Sequence, residues 1–162
     1  MNPSLKRNVW DAVVLTASVV AMSAILVADA TAGEHRRAPR NEKYAAECGS
    51  CHVAYPPKLL PAQSWRSVMD GLPHHFGTDA SLDAATTGQI LAYLEQNAGR
   101  KPPPPTGDAP RITRTSWFVR EHREVAASTW TNPGVKSRAN CTACHTKAEA
   151  GSYREGEIRL PK

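Results

Sequence analysis

Cysteine is scarce in this chain, with four in 162 residues. All four fall into two Cys-x-x-Cys pairs, so none remains for a disulfide framework. Strand-rich runs are missing around both pairs, which removes the βαβ setting a thioredoxin-type dithiol needs. Methionine is nearly absent as well. Of the three in the chain, Met1 and Met22 lie in an N-terminal apolar segment, and only Met69 lies beyond it. Aliphatic residues thin out over the last third, and a segment of about 50 residues so poor in them can hardly fold alone.

What is present is a repeated pentapeptide, Cys48-Gly49-Ser50-Cys51-His52 and Cys141-Thr142-Ala143-Cys144-His145. Two cysteines spaced by two residues, with histidine directly after the second, form the attachment signature of c-type haem. On one helical turn, cysteines at i and i+3 point the same way and can each form a thioether to one of the two vinyl groups of a haem. The next residue then offers its imidazole to the iron. Zinc is the competing reading, since four thiolates could close one tetrahedral site. It leaves the adjacent histidine unexplained twice. The expectation is two covalently attached haem c groups, held by Cys48 and Cys51 and by Cys141 and Cys144, with His52 and His145 as axial ligands.

The first 32 residues read as an export signal. Lys6 and Arg7 supply a positive start, and Val13 to Val27 form an apolar stretch broken only by Thr16, Ser18 and Ser23. Ala28-Asp29-Ala30 and Ala30-Thr31-Ala32 are alternative cleavage sites, and an uncleaved membrane anchor is the competing reading. That anchor is disfavoured because a spanning helix needs about 20 apolar residues. Either way the remainder is delivered outside the cytoplasm, where bacteria attach c-type haem, so the protein is expected to be periplasmic. The net charge of +5 does not argue for nucleic acid, because each haem brings two propionates that offset it. Arg36, Arg37, Arg40, Arg111 and Arg114 are read as solvated surface residues or propionate partners.

Residues 34–100 form the first haem domain, 101–110 a proline-rich linker and 111–162 a second haem domain. In the first, Asn41 caps a helix running to Cys48, with Tyr44 and Cys48 on one face. The proline-rich Tyr55 to Pro61 excludes helix and suggests an extended loop over a haem edge. A second helix is expected from Ala62 to Gly71. A third starts at Ser81 or Asp83 and ends at Gly99, with Leu82, Ile90, Leu91, Tyr93 and Leu94 as its stripe. Lys101 to Pro110 favours polyproline II. Beyond it the expectations are a short helix from Thr115 to Val125, a loop around Trp130, a motif helix from about Asn140 to Ala148 and a polar tail. The fold class is mainly α, with the irregular C-terminal segment wrapping its haem against the first domain.

The second axial ligand of each iron decides function. Met69 sits at a helical packing position and reads as core. His35 lies in a polar lead-in and reads as exposed. His75, flanked by Phe76 and Gly77, is preferred for the first haem, with its neighbour His74 as the alternative. His122, on a short helix with Trp117 and Phe118, is preferred for the second. A crossed arrangement stays open.

Longer blocks carry a family resemblance. Glu47 to His52, Tyr55-Pro56-Pro57, Leu59-Leu60-Pro61, Ser64-Trp65, Gly71-Leu72, His75-Phe76-Gly77, Ala80 to Asp83 and Ile90 to Leu94 resemble the bacterial dihaem cytochrome c family. Ile112-Thr113, Trp117-Phe118, Glu121-His122 and Asn140 to His145 continue the match, which spans about Tyr44 to Lys162. The resemblance implies a periplasmic electron carrier rather than an enzyme, with a class I cytochrome c-like first domain, a second domain of little regular structure and two bis-histidine haems. His52, His75, His122 and His145 fall on matching positions, and His74 departs at a variable one. Implied partners are a small haem protein of the sphaeroides type and membrane cytochromes b. Membrane contact is expected only if the N-terminal segment is retained. Two imidazoles per iron predict outer-sphere transfer at low potential. The alternative is a dihaem peroxidase-like or ligand-binding protein with one open iron site.

Overall fold

Three helices and the turns between them build the first half of the computed structural model, which describes residues 39–100 and 110–161. The export segment, His35, most of the proline-rich linker and Lys162 lie outside the described residues. Those described belong to one unit spanning Arg37–Lys162. Helix α1 (Glu42–Gly49) starts where Asn41 accepts a hydrogen bond from the Tyr44 amide at 2.8 Å. Such a cap satisfies one of the orphan amides of the first turn. Helix α2 (Ala62–Asp70) follows Pro61, and helix α3 (Ala84–Gln96) is capped by Asp83 rather than Ser81, through the Thr86 amide at 2.9 Å. The Asp83 carboxylate lies below its usual range because it accepts hydrogen bonds at Thr86.

Helix α3 ends at Gln96, a little before Gly99. Gly99 itself is needed for a close approach. Its amide donates to Leu60 O at 2.9 Å, and a Cβ there would run into the carbonyl oxygen of Lys58. Tyr55 to Pro61 is extended except for one 3₁₀ turn, Pro57–Leu59. Proline tolerates the first position of such a turn because its missing amide would have had no partner there.

Tyr44 of α1, Trp65 and Met69 of α2, and Ile90 and Leu94 of α3 form one core with Leu60 and Leu72 from the turns between the helices. Leu60, Ile90 and Leu94 are fully buried, and each contributes about 1.5–3 kcal/mol by leaving water. Trp65 Nε1 donates to Pro57 O at 2.6 Å, so the indole is both buried and satisfied. Met69 is core, as its spacing predicts. Ile112, from beyond the linker, packs against this same core and ties the second half to it.

The second half is short helices and turns. A 3₁₀ turn at Ile112–Arg114 precedes α4 (Ser116–Glu121), which is capped by Thr115 and followed by α5 (Ala127–Trp130). Helix α4 is shorter than the Thr115–Val125 expectation. Its last turn closes where the His122 amide and the His122 ring both meet the carbonyl of Phe118, at 3.1 and 2.9 Å. Trp130 is the last residue of α5 rather than part of a loop.

The second motif is not the helix expected from Asn140 to Ala148. It is a 3₁₀ turn, Cys141–Ala143, followed by turns. An α-helix would direct the Ala148 amide to Cys144 O, but that amide bonds to His145 O at 2.9 Å. The Cys144 carbonyl instead accepts from Arg159 in the C-terminal tail at 2.9 Å. A tertiary hydrogen bond has displaced a local one. The result is mainly helical and, among the described residues, without strands beyond two isolated bridges, His75–Thr78 and His145–Ile158.

Candidate haem-binding site

Helix α1 ends between the two cysteines of the first motif, so Cys48 rides on the helix and Cys51 on the turn after it. Ser50 closes that turn, its hydroxyl donating to Glu47 O at 2.8 Å. His52 follows with Nδ1 at 2.8 Å from Val53 O. A carbonyl only accepts, so Nδ1 carries the proton and Nε2 keeps its lone pair for a metal. The imidazole lies over the ring of Tyr55 at 4.6 Å and 18°. Tyr55 is itself held at both ends: its carbonyl accepts from the Tyr44 hydroxyl at 2.8 Å, and its own hydroxyl donates to Ala139 O at 2.7 Å.

His75 arrives from the 3₁₀ turn Leu72–His74 and from a tight reversal in which the Thr78 amide donates to His75 O at 3.0 Å. Phe76 and Gly77 both have positive φ there, 51° and 98°. The His52 and His75 rings stand 6.2 Å apart at 26°. His74, on the same turn, is exposed and makes no ring contact with His52.

His122 terminates α4 with Nδ1 on Phe118 O, which leaves Nε2 free on the same logic. Its ring stacks on Phe118 at 4.0 Å and meets Trp130 at 5.9 Å. His145 is positioned by its bridge to Ile158 and by Tyr153, whose ring is 5.2 Å away. The His122 and His145 rings are again 6.2 Å apart, here at 79°. His145 Nδ1 and the Tyr153 hydroxyl are buried without a hydrogen-bond partner among the described residues.

Both pairs have the spacing of two imidazoles on one metal. With metal–nitrogen bonds of about 2 Å and ring centres about 1.1 Å behind the nitrogens, the centroids stand about 6 Å apart. The geometry pairs His52 with His75 and His122 with His145, and does not cross them. Burial, and then the neighbouring His52 and Arg111, lower the pKa of His75; burial and then His122 lower that of His145. Neutral imidazole is the form that binds metal.

Burial bears on three of the four thiols. Burial, with Glu47 adding to it, pushes Cys48 up to about 11, and burial raises Cys141 and Cys144 as well. No cluster of three or more His, Cys, Asp or Glu able to hold a metal ion forms among the described residues. Cys48, Cys51, Cys141 and Cys144 therefore do not come together as one tetrahedral site here. A cleft of about 520 Å³ opens between the motifs, lined by Gly49, Cys51, His52, Tyr55, Asn140 and Cys141. His75, His122 and His145 do not line it, so it is the space between the two motifs and not the space between the paired imidazoles. The carbonyls of Val53 and Phe118 that orient two of the histidines have no sequence signal, because every residue has a carbonyl.

Comparisons with known proteins agree with this arrangement. A family model for dihaem cytochrome c matches residues 44–153. Among solved structures, the chain is similar to the diheme cytochrome type c from Shewanella baltica OS155, at 41% identity and a TM-score of 0.67, covering 76% of this chain and 94% of that one. It is also similar to two structures of the diheme cytochrome c from Rhodobacter sphaeroides. One is 44% identical with a TM-score of 0.63, covering 71% of this chain and 98% of that one. The other is 42% identical with a TM-score of 0.63, covering 73% of this chain and all 100% of that one. No curated protein matches the chain.

Proposed function

This chain belongs to the dihaem cytochrome c family, and from that we propose that it is a periplasmic electron carrier holding one haem between His52 and His75 and the other between His122 and His145. Membership makes it a haem electron-transfer protein with two covalent haem c groups, on Cys48 and Cys51 and on Cys141 and Cys144. The observation that carries the finer reading is the equal 6.2 Å spacing of the two histidine pairs.

When bound, each haem supplies a one-electron ferric/ferrous couple. The chain's own residues set its terms. Val53 O and Phe118 O hold His52 and His122 in the tautomer that directs Nε2 inward and make each ring a stronger donor. Tyr55, Phe118 and Trp130 wall the rings and keep them from turning. Two imidazoles on each iron would leave no position for substrate, so transfer would be outer-sphere. They would also favour the ferric state over what a methionine ligand gives, so both potentials would be low.

The proposed partners are redox proteins that dock transiently, with buried contacts below about 1,200 Å². A small haem protein of the sphaeroides type and membrane cytochromes b are the candidates. Delivery to the periplasm rests on the N-terminal signal pattern and on where bacteria attach haem to Cys-x-x-Cys-His.

The test is a pyridine haemochrome count with optical and electron paramagnetic resonance spectra of the oxidised protein. Two haems are expected, both low-spin, with no methionine-to-iron charge-transfer band. The two signals should differ in shape, since the imidazole planes are near parallel in one pair and near perpendicular in the other. A high-spin component, or carbon monoxide binding by the untreated protein, would overturn the reading for at least one iron and favour a peroxidase-like site.

A further inference from the structure

Phe76 stands where the backbone favours glycine. Its φ of 51° lies in the left-handed region, and the residue is 40% exposed, so burial does not account for it. What the ring does is bridge. It meets the imidazole of His75 at 4.8 Å, and the guanidinium of Arg111 lies 4.0 Å from its centroid. Arg111 comes from the far side of the proline-rich linker, as the first residue after it.

We infer that Arg111 is a positioning residue for the first haem site, clamping the His75 turn through Phe76 and holding a fixed positive charge that raises the reduction potential of the haem between His52 and His75. The inference rests on the two-histidine reading above. The two separations added together put the guanidinium carbon within about 9 Å of the His75 ring centre. Ferric iron carries one more positive charge than ferrous, so a cation held there favours the reduced form. At the effective dielectric of a protein surface, a unit charge about 9 Å away shifts the equilibrium about twentyfold. Exposure of the guanidinium and physiological salt reduce this to about threefold.

Arginine suits the place better than lysine because its planar, weakly hydrated head stacks on an aromatic face. The nearest opposing charge on the same loop is Asp79. Its carboxylate is engaged with the Ser81 amide at 2.9 Å and faces His74. Near the second site, Arg138 lies over Trp130 at 4.9 Å, and Trp130 touches His122 only at 5.9 Å. The first site is therefore the one whose ligand turn is clasped directly from the other half.

The experiment is a redox titration of the full dihaem protein followed by electron paramagnetic resonance, in which the two differently shaped low-spin signals report each haem separately. Arg111→Gln should lower the midpoint of the near-parallel haem so that electron partition between the haems changes about threefold, or about 30 mV at 59 mV per decade. The other haem should stay in place. Arg111→Lys, which keeps the charge, should restore most of the shift. In the unaltered protein, raising the salt concentration should lower the same midpoint, so the prediction survives a variant that does not fold. Equal shifts in both haems, an unchanged Arg111→Gln titration, or a Lys variant displaced as far as the Gln one would each overturn the inference. Failure of the two-histidine reading would look different, as a high-spin signal already present before any substitution, and would remove the inference with it.

Discussion

Histidines 52, 75, 122 and 145 are held by quite different means. His52 lies over Tyr55 and bonds to the next residue's carbonyl, whereas His122 bonds back to Phe118, four residues earlier, and stacks on that same side chain. His122 is therefore fixed by its own helix and can be replaced without disturbing the distant core. His122→Ala should open one iron. About half of the low-spin intensity should become high-spin, and carbon monoxide should bind one haem in two. A variant that keeps both haems low-spin would show that His122 is not a ligand. Met69 is in no position to take over, since it is buried in the core of the first half with Trp65 and Leu72.

Among the elements, the C-terminal tail is the one that sets the second site. It takes the Cys144 carbonyl through Arg159 and pairs Ile158 with His145, and so keeps the motif from winding into a helix. Glu157 locks the tail. Its carboxylate accepts from the Ser152 hydroxyl at 2.6 Å and from Lys147 Nζ at 3.0 Å. The Ser152 and Lys147 hydrogen bonds lower its pKa below the usual carboxylate range. A group whose folded pKa is depressed contributes stability above its unfolded pKa and loses it as the pH falls through the folded value. Thermal unfolding temperatures should therefore fall on acidification from the ordinary glutamate range downward. In Glu157→Gln that acid limb should be flatter, with a lower plateau near neutrality. Identical acid limbs in both proteins would show that the clasp contributes nothing.

Across the whole molecule, the halves meet through Ile112 on the first core, Arg111 on Phe76, and the Tyr55 hydroxyl on Ala139, a bond spanning 84 positions of sequence. Ala139 lies just before Cys141, so the ring that stacks on His52 is bonded to the lead-in of the second motif. Tyr55→Phe keeps the stacking over His52 and removes that bond. It should lower stability by about 0.5–1 kcal/mol, read as a fall of a few degrees in Tm, while leaving the first haem low-spin. A loss of the low-spin signal on this change would mean that the hydroxyl, and not the ring, places His52.

Most of the first half was legible in the sequence because its signals are local. The Asn41 cap, the inward spacing of Tyr44 and Cys48 and the stripe containing Ile90 and Leu94 act within a turn or two, and all reappear in the structure. The two haem motifs were legible for the same reason, since thioether chemistry demands its cysteines at a fixed short spacing. The second motif's shape was not, because Arg159 competes for a carbonyl that local pattern assigns to a helix. By itself the sequence determined the number and attachment of the haems, the helical first half and the small set of histidines that could complete the iron sites. Only the tertiary structure decided that His75 faces His52 and His122 faces His145, that one pair is near parallel and the other near perpendicular, and that Arg111 reaches back across the linker to the His75 turn. Those are contacts between residues far apart in the chain, and their energies depend on packing that no local pattern encodes.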